Sequence, residues 1–311
     1  MARVIWVTLN QLRAFLIAAR TGSFTAAAQH MKMSQASVSE LVRRLEEEYR
    51  LPLFTRQPRR LVLTTAGETL LPYAEQSVNA ADSAEETLLA LRSLGGGVAT
   101  FGVLRNADYY FLTDLVKEFH QAHPKIQVRL VGQNSVDVAA SVAAGQLEAG
   151  LVVLPIDDAG LRVRPLLRDE VLFASADTTH LTEPMTTRRL AEARLILYDA
   201  HYGWRDPTRR QLADRAQMEG VKLEAMIEVE HVEAALGLVA RGVGDTFLSR
   251  AVAESSAFPA GVGTVPFAEP VYDTIALVQR ESMALSPATA EIARLAQRML
   301  LARSRVVPGN R

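Results

Sequence analysis

Ser34, Gln35, Ser37 and Ser39 put short hydrogen-bonding side chains at the start of a segment that continues Glu40-Leu41-Val42-Arg43-Arg44-Leu45-Glu46. A carboxamide and hydroxyls on the first turn of a helix are groups that can read base edges in a DNA major groove. Glutamine pairs with adenine through its amide, and serine bonds to most bases. For that the segment must be a helix with its other face buried. Val38, Leu41, Val42 and Leu45 supply one apolar stripe, and Ser34 is placed to accept a backbone hydrogen bond as the cap. A solvated helix face would carry the same polar residues, so the neighbouring elements decide between the two readings.

Thr25-Ala26-Ala27-Ala28-Gln29-His30-Met31 precedes the segment, with small residues at helical spacing that let another helix cross closely. Leu53-Phe54-Thr55-Arg56-Gln57-Pro58-Arg59-Arg60-Leu61-Val62-Leu63 follows it, two apolar runs around a proline-containing turn, which reads as a hairpin. Its three arginines suit phosphates or a narrow minor groove. Charge distribution agrees. Residues 1–64 hold 10 Lys plus Arg against 4 Asp plus Glu, whereas the whole chain is −1. A basic head on an acidic body favours a polyanion through phosphate contacts that weaken steeply with salt.

Residues 8–67 resemble the DNA-binding head of the LysR-type transcriptional regulators. The motif is Ala27-Ala28-x-x-Met31, Ser34-Gln35-Ala36-Ser37-Val38-Ser39, Leu45-Glu46, Leu53-Phe54-x-Arg56 and Leu63-Thr64-x-Ala66-Gly67. Three positions depart from the pattern: Ala36 where proline is frequent, Arg50 where glycine usually takes a left-handed cap, and Glu40 where arginine or a neutral polar residue is common. Glu40 either accepts from a cytosine amino group or pairs with Arg43 or Arg44 on its own helix. The expected DNA-contacting set is Ser34, Gln35, Ala36, Ser37, Ser39, Glu40 and Arg43 on the helix, with Arg56, Arg59 and Arg60 on the hairpin.

The chain has 311 residues and no cysteine, so it is too long for one winged helix and has no disulfides or thiolate sites. The run Val4-Ile5-Trp6-Val7 is too short for a signal peptide, and no apolar run approaches a membrane span, which predicts a cytoplasmic protein. Residues 65–94 read as a long linker helix opened by a Thr65-x-x-Glu68 capping box, with Pro72 as a point of kinking and Gly95-Gly96-Gly97 as a hinge. Leu70, Ala74, Ser77, Ala81, Ala84, Leu88 and Leu91 recur at spacings of four and three. Such a stripe packs either on its own domain or on a second subunit, and the resemblance implies the second.

The expected organisation is an N-terminal all-α winged helix-turn-helix over 1–64, the linker helix over 65–94, an α/β effector-binding domain over 95–303, and a tail over 304–311. Within 95–303, strands and helices alternate as βαβαβ, which calls for a parallel sheet covered on both faces. A second unit of the same kind begins near Leu161. In order and extent the region resembles the two-lobed effector domain of the same regulators, like periplasmic solute-binding proteins, with lobe I at about 98–160 and 264–303 and lobe II at about 161–263.

Loops at the carboxyl ends of such strands converge on a crevice. They hold Leu104, Arg105 and Asn106; Gln133, Asn134 and Ser135; His201, Tyr202, Trp204 and Arg205; and Phe247 with Ser249. The aromatic residues can stack on a flat ring, and Arg105 or Arg205 with helix N-terminal amides can hold a carboxylate, so the expected effector is a small anionic or aromatic molecule. His201 as an exposed loop residue and Trp204 as a core anchor are the plain alternatives. Arg209 and Arg210 read as a solvated helix face. No histidine pair has metal-ligand spacing, no glycine-rich phosphate loop is present, and Ser175, Ser249 and Ser255 sit in no nucleophile elbow. Neither an enzyme nor a resident cofactor is expected. The expected partners are double-stranded DNA, a small-molecule effector, further copies of the chain as homodimer or homotetramer, and RNA polymerase. An architectural DNA-binding protein with a purely oligomeric body is the alternative.

Overall fold

Thr8 opens α1 (Leu9–Thr21) with a capping box to Gln11, and Gly22 closes it in the left-handed conformation at φ 65°. Ser23 caps α2 (Phe24–Met31), Ser34 caps α3 (Gln35–Tyr49), and Arg50 takes the left-handed position at φ 54° that glycine usually fills. Strands β1 (Phe54–Gln57) and β2 (Arg60–Leu63) form the expected hairpin. Phe15, Ala18, Ala27, Val38, Val42 and Leu45 are fully buried or nearly so, and this cluster is the head's core. The computed structural model describes residues 7–57, 60–92, 97–281 and 283–304. Arg59, Gly95, Gly96, the N-terminal run before Val7 and the tail after Ser304 lie outside them.

Helix α4 (Thr65–Arg92) runs through Pro72. Its cap is Thr64 rather than the expected Thr65: the Thr64 hydroxyl accepts from the Gly67 N–H at 3.1 Å and donates to the Pro52 carbonyl at 2.6 Å. A Cβ on Gly67 would stand 2.4 Å from the Leu53 carbonyl oxygen, so that approach needs glycine. The expected seam is split. Leu70 and Ala74 pack with Val78 into the head's own core, while Ser77, Ala84 and Leu88 are exposed, as is Tyr73 outside the seam. A helix closing its own domain spends the first two positions of the stripe there.

The chain divides into two compact units whose main bodies are residues 1–94 and 95–311. In the second, β3 (Gly97–Leu104), α5 (Leu112–Ala122), β4 (Ile126–Gln133), α6 (Ser135–Ala143) and β5 (Ala149–Leu154) form the predicted parallel crossovers. A short 3-10 turn at Ala107–Tyr109 precedes α5, and Val116 is exposed.

Next come β6 (Leu161–Ser175), α7 (Thr187–Glu192), β7 (Leu195–Leu197), α8 (Pro207–Met218), β8 (Ala225–Glu228), α9 (Val232–Val239), β9 (Thr246–Ser249), α10 (Arg250–Ala253), β10 (Gly263–Arg280) and α11 (Pro287–Ser304).

The sheet is mixed, which corrects the expectation of a wholly parallel one. Its order is β4-β3-β5-β10-β6-β9, and β10 pairs antiparallel with both β5 and β6. β6 and β10 are the long strands that run from one lobe into the other. The parallel pair β7-β8 adjoins β9 through a bridge between Leu195 and Asp245. Cores built around Phe101, Phe119 and Ile292 and around Val138 and Val152 cover the two faces of the first lobe. Those around Phe173, Leu190 and Leu212 and around Leu236 and Leu248 cover the second. Among the described residues no helix is long and apolar enough to cross a membrane.

Candidate functional site

The head exposes Ser34, Gln35, Ala36 and Ser37 at the N-terminus of α3, with Ser39 half-buried one turn on. The Ser34 hydroxyl accepts from the Ser37 N–H at 3.1 Å, so the cap fixes the turn that carries Gln35. The Glu46 carboxylate accepts from the N–H groups of Leu53 and Phe54 at 2.7 and 3.2 Å, and the Leu61 N–H donates to the Gly22 carbonyl at 2.9 Å. Recognition helix, hairpin and α1 are thereby locked in one orientation. Arg56 and Arg60 stand on β1 and β2.

Glu40 takes the second of its two expected roles. Its carboxylate accepts from Arg43 at 2.7 and 2.8 Å and from Arg44 at 2.7 Å. These bonds, Arg43 first, hold its pKa down to about 2, so it is ionised at any working pH. Arg43, also paired with Glu47, is thereby aimed along its own helix.

In the second unit hydrogen bonds and ion pairs hold several of the predicted residues, and others lie apart in the lobe cores. Arg105 is spent: its guanidinium lies 3.0 Å from Asp199 and also pairs with Glu230. The Asn134 amide donates to Asp206 at 2.9 Å, and the Ser135 hydroxyl accepts from the Val153 N–H at 2.8 Å. The Tyr202 hydroxyl donates to Asp137, and Arg205 is exposed with its guanidinium 6.0 Å from the Tyr202 ring centre. His201 is exposed, its N–H donating to Glu230. Asn106 is half-buried, and the Gln133 side-chain Oε1 is buried without a partner. Leu104 and Phe247 lie in the lobe cores and Ser249 is buried.

Arg209 corrects the reading of a solvated face. It is 2% exposed, bonds the Tyr198 carbonyl at 3.2 Å, pairs with Glu228, and lies 4.8 Å from the centre of the Trp204 ring. Trp204 itself is 37% exposed, so it is neither a core anchor nor a free platform. Arg210 does lie on the open face.

Sequence reasoning missed the carboxylates that surround these residues. Asp206 caps α8, accepting from the Thr208 and Arg209 N–H groups at 3.1 and 3.0 Å; Asp206-Pro207 is a helix-start signal that could have revealed it. Asp273 on β10 accepts from the Thr208 hydroxyl at 2.7 Å, and Asp169 on β6 accepts from the Tyr110 hydroxyl at 2.7 Å. Burial, first, and then the neighbouring carboxylates push Asp199 up to about 6, while burial, outweighing the Thr208 bond, pushes Asp273 up to about 8. Burial raises Asp169 and Asp206 as well.

A winged helix-turn-helix followed by a two-lobed α/β unit defines a class of DNA-binding regulator, and comparison with known proteins gives the family. Residues 9–68 match the model of the bacterial regulatory helix-turn-helix protein, lysR family, and residues 92–300 match that of the LysR substrate binding domain. The chain is 27% identical over 286 residues to the uncharacterized HTH-type transcriptional regulator YbhD of Escherichia coli, covering 90% of this chain and 88% of the relative. It is 27% identical over 241 residues, 76% and 80% of the two chains, to the HTH-type transcriptional regulator IlvR of Caulobacter vibrioides. Its fold is shared by full-length OxyR from Pseudomonas aeruginosa, with a TM-score of 0.66 at 21% identity over 95% and 98% of the chains. CbnR complexed with its target DNA gives 0.64 at 19% identity over 94% and 99%. The chain belongs to the LysR family: it is a DNA-binding transcriptional regulator with a substrate-binding domain, not an enzyme.

Proposed function

We propose that this regulator works in the cytoplasm as a homodimer or homotetramer and reads a pseudo-palindromic operator with paired heads. Gln35, flanked by Ser34, Ser37 and Ser39, reads base edges in the major groove, and the hairpin arginines Arg56, Arg59 and Arg60 hold phosphates or enter the minor groove. The observation that carries this reading is the exposed, capped first turn of α3, tied to the hairpin through Glu46. The exposed Tyr73, Ser77, Ala84 and Leu88 of α4 support subunit pairing, and the fold shared with a regulator solved on its target DNA supports the DNA-binding role of the head.

A small molecule held by the loops around Asn134, Ser135, Tyr202 and Arg205 biases the two lobes. The altered packing of subunits then shifts the spacing of the heads on DNA and their contact with RNA polymerase. The anionic or aromatic class expected from sequence rests on Arg105 and Arg205. With Arg105 already paired to two carboxylates, Arg205 and the open face of Trp204 remain for such a ligand.

Genomic fragments retained by the purified protein at near-physiological salt are expected to be enriched in a few sites, each with two spaced half-sites. Indiscriminate retention that disappears as salt rises would leave a basic head alone and favour an architectural role.

A further inference from the structure

We propose that the effector-binding domain carries its own latch: Arg105 of the first lobe, gripped by Asp199 and Glu230 of the second, holds the lobes together, and release of that grip is the step by which the lobes part and the spacing of the heads changes. The inference rests on the regulator reading and gives the direction of the change, an opening.

Arg105 lies just beyond β3 in the first lobe, while Asp199 and Glu230 lie just beyond β7 and β8 in the second. The Arg105 Nε is 3.0 Å from Asp199 Oδ1, and its Nη1 pairs with the Glu230 carboxylate and donates to the Glu230 backbone carbonyl at 3.2 Å. One guanidinium therefore ties the end of a first-lobe strand to the ends of two second-lobe strands. Its planar fork of donors lets a single side chain serve all three acceptors.

Three further bonds cross between the lobes beside it. The Tyr202 hydroxyl donates to Asp137, the Asn134 amide to Asp206 at 2.9 Å, and the Tyr109 hydroxyl to Glu233 at 2.7 Å. Each joins one neutral donor to one acceptor. The Arg105 tie is the one among the four that pairs opposite full charges, and it is partly screened from water because Asp199 is buried.

Two features suit this tie to letting go. Asp199 Oδ1 completes no hydrogen bond, so the inner arm is held by charge rather than by an aligned bond, and is weaker for it. Asp199 also takes the left-handed backbone conformation at φ 62°, a cost that persists where its surroundings hold it. Once Arg105 withdraws, the closed arrangement leaves a buried carboxylate without its countercharge, which parting of the lobes relieves by admitting water. Closed with the grip and open without it are thus the two favoured arrangements.

Tyr202 connects the latch to the ligand loops. Its ring centre is 5.7 Å from the Arg105 guanidinium and 6.0 Å from that of Arg205. A ligand held by Arg205 meets this ring, and moving it breaks the bond to Asp137 and uncovers Arg105.

The chain has no cysteine, so Lys117→Cys on α5 and Met218→Cys on α8, both exposed, give one spin label per lobe. Pulsed electron resonance reads the distance between them in the full-length protein, with labelled subunits diluted in unlabelled ones. At pH 7.5 Asp199, pushed up to about 6 by burial and then by Asp206, is ionised. The expected result is one short distance for the otherwise unchanged chain and a dominant longer one on adding Arg105→Gln. Arg105→Lys should keep more of the short distance than Arg105→Gln does. Glu230→Gln, a milder change at a half-buried loop residue, should give a mixture, which decides the matter if Arg105→Gln does not fold. The double variant should match Arg105→Gln alone, because the second change removes a charge that has already lost its partner. On an operator selected from random DNA, Arg105→Gln should change the spacing between the protected half-sites and keep the base preference within each. Unchanged distances in Arg105→Gln and Glu230→Gln, or parted lobes with unchanged spacing, would overturn the proposal. A wild type that selects no sites would instead sink the regulator reading, with the latch still decided by the distances.

Discussion

Replacing Phe15 by alanine is expected to cost the head about 3–5 kcal/mol, much of what an ordinary domain has. The ring is wholly buried with its centre 5.4 Å from that of Phe54, at the meeting point of α1, α2, α3 and β1. Its neighbours Ala27 and Ala28 are too small to move in and fill the void, which places the cost at the upper end of the usual range. Hydrogen exchange is the direct measurement. Amide protection at Val42 and Leu45 in α3 should fall at least 100-fold, with β3 to β10 unchanged, and operator affinity at 37 °C should drop with it. A fall of less than about tenfold would mean that the head is held by something other than this cluster.

Arg209→Ala should destabilise the second unit by about 3 kcal/mol. The ion pair is the smaller part, because Glu228 is 44% exposed and its charge can turn to water. The larger part is the unpaired Tyr198 carbonyl and the hole left by a side chain that is 2% exposed. Arg209→Lys should rescue little, since a single ammonium cannot reproduce the planar fork or the stack on Trp204. The variant's melting temperature and Trp204 emission should shift together, and a loss under 1 kcal/mol with unchanged emission would contradict this role.

Arg209 also shows why the body is harder to read than the head. Adjacent arginines on a helix point about 100° apart, so one of Arg209 and Arg210 faces inward, and only the packing of Trp204 and Glu228 decides which. β6 and β10 are hidden for a related reason. Pro165, Pro266 and Pro270 and several charged residues break their alternation, and each strand pairs with a partner about a hundred residues away. The cross-strand Asp169 and Asp273 are invisible without that register.

In the head, by contrast, the decisive contacts are local and demand particular residue types. Ser34 caps α3, Glu46 reaches forward seven and eight residues to two backbone amides, and Gly67 touches the Leu53 carbonyl. Such contacts leave a fixed spacing in the sequence. Even there a one-residue shift passes unseen, as when Thr64 rather than Thr65 caps α4.

The most direct test of the central claim is to select binding sites from random duplex DNA with the wild-type protein and with Gln35→Ala. The predicted result is a two-half-site motif for the wild type, and for the variant the same motif with preference relaxed at one base pair in each half, a loss of about 1–3 kcal/mol of discrimination. Identical preferences from the two proteins would contradict the account, because the exposed turn of α3 would then not be what reads the DNA.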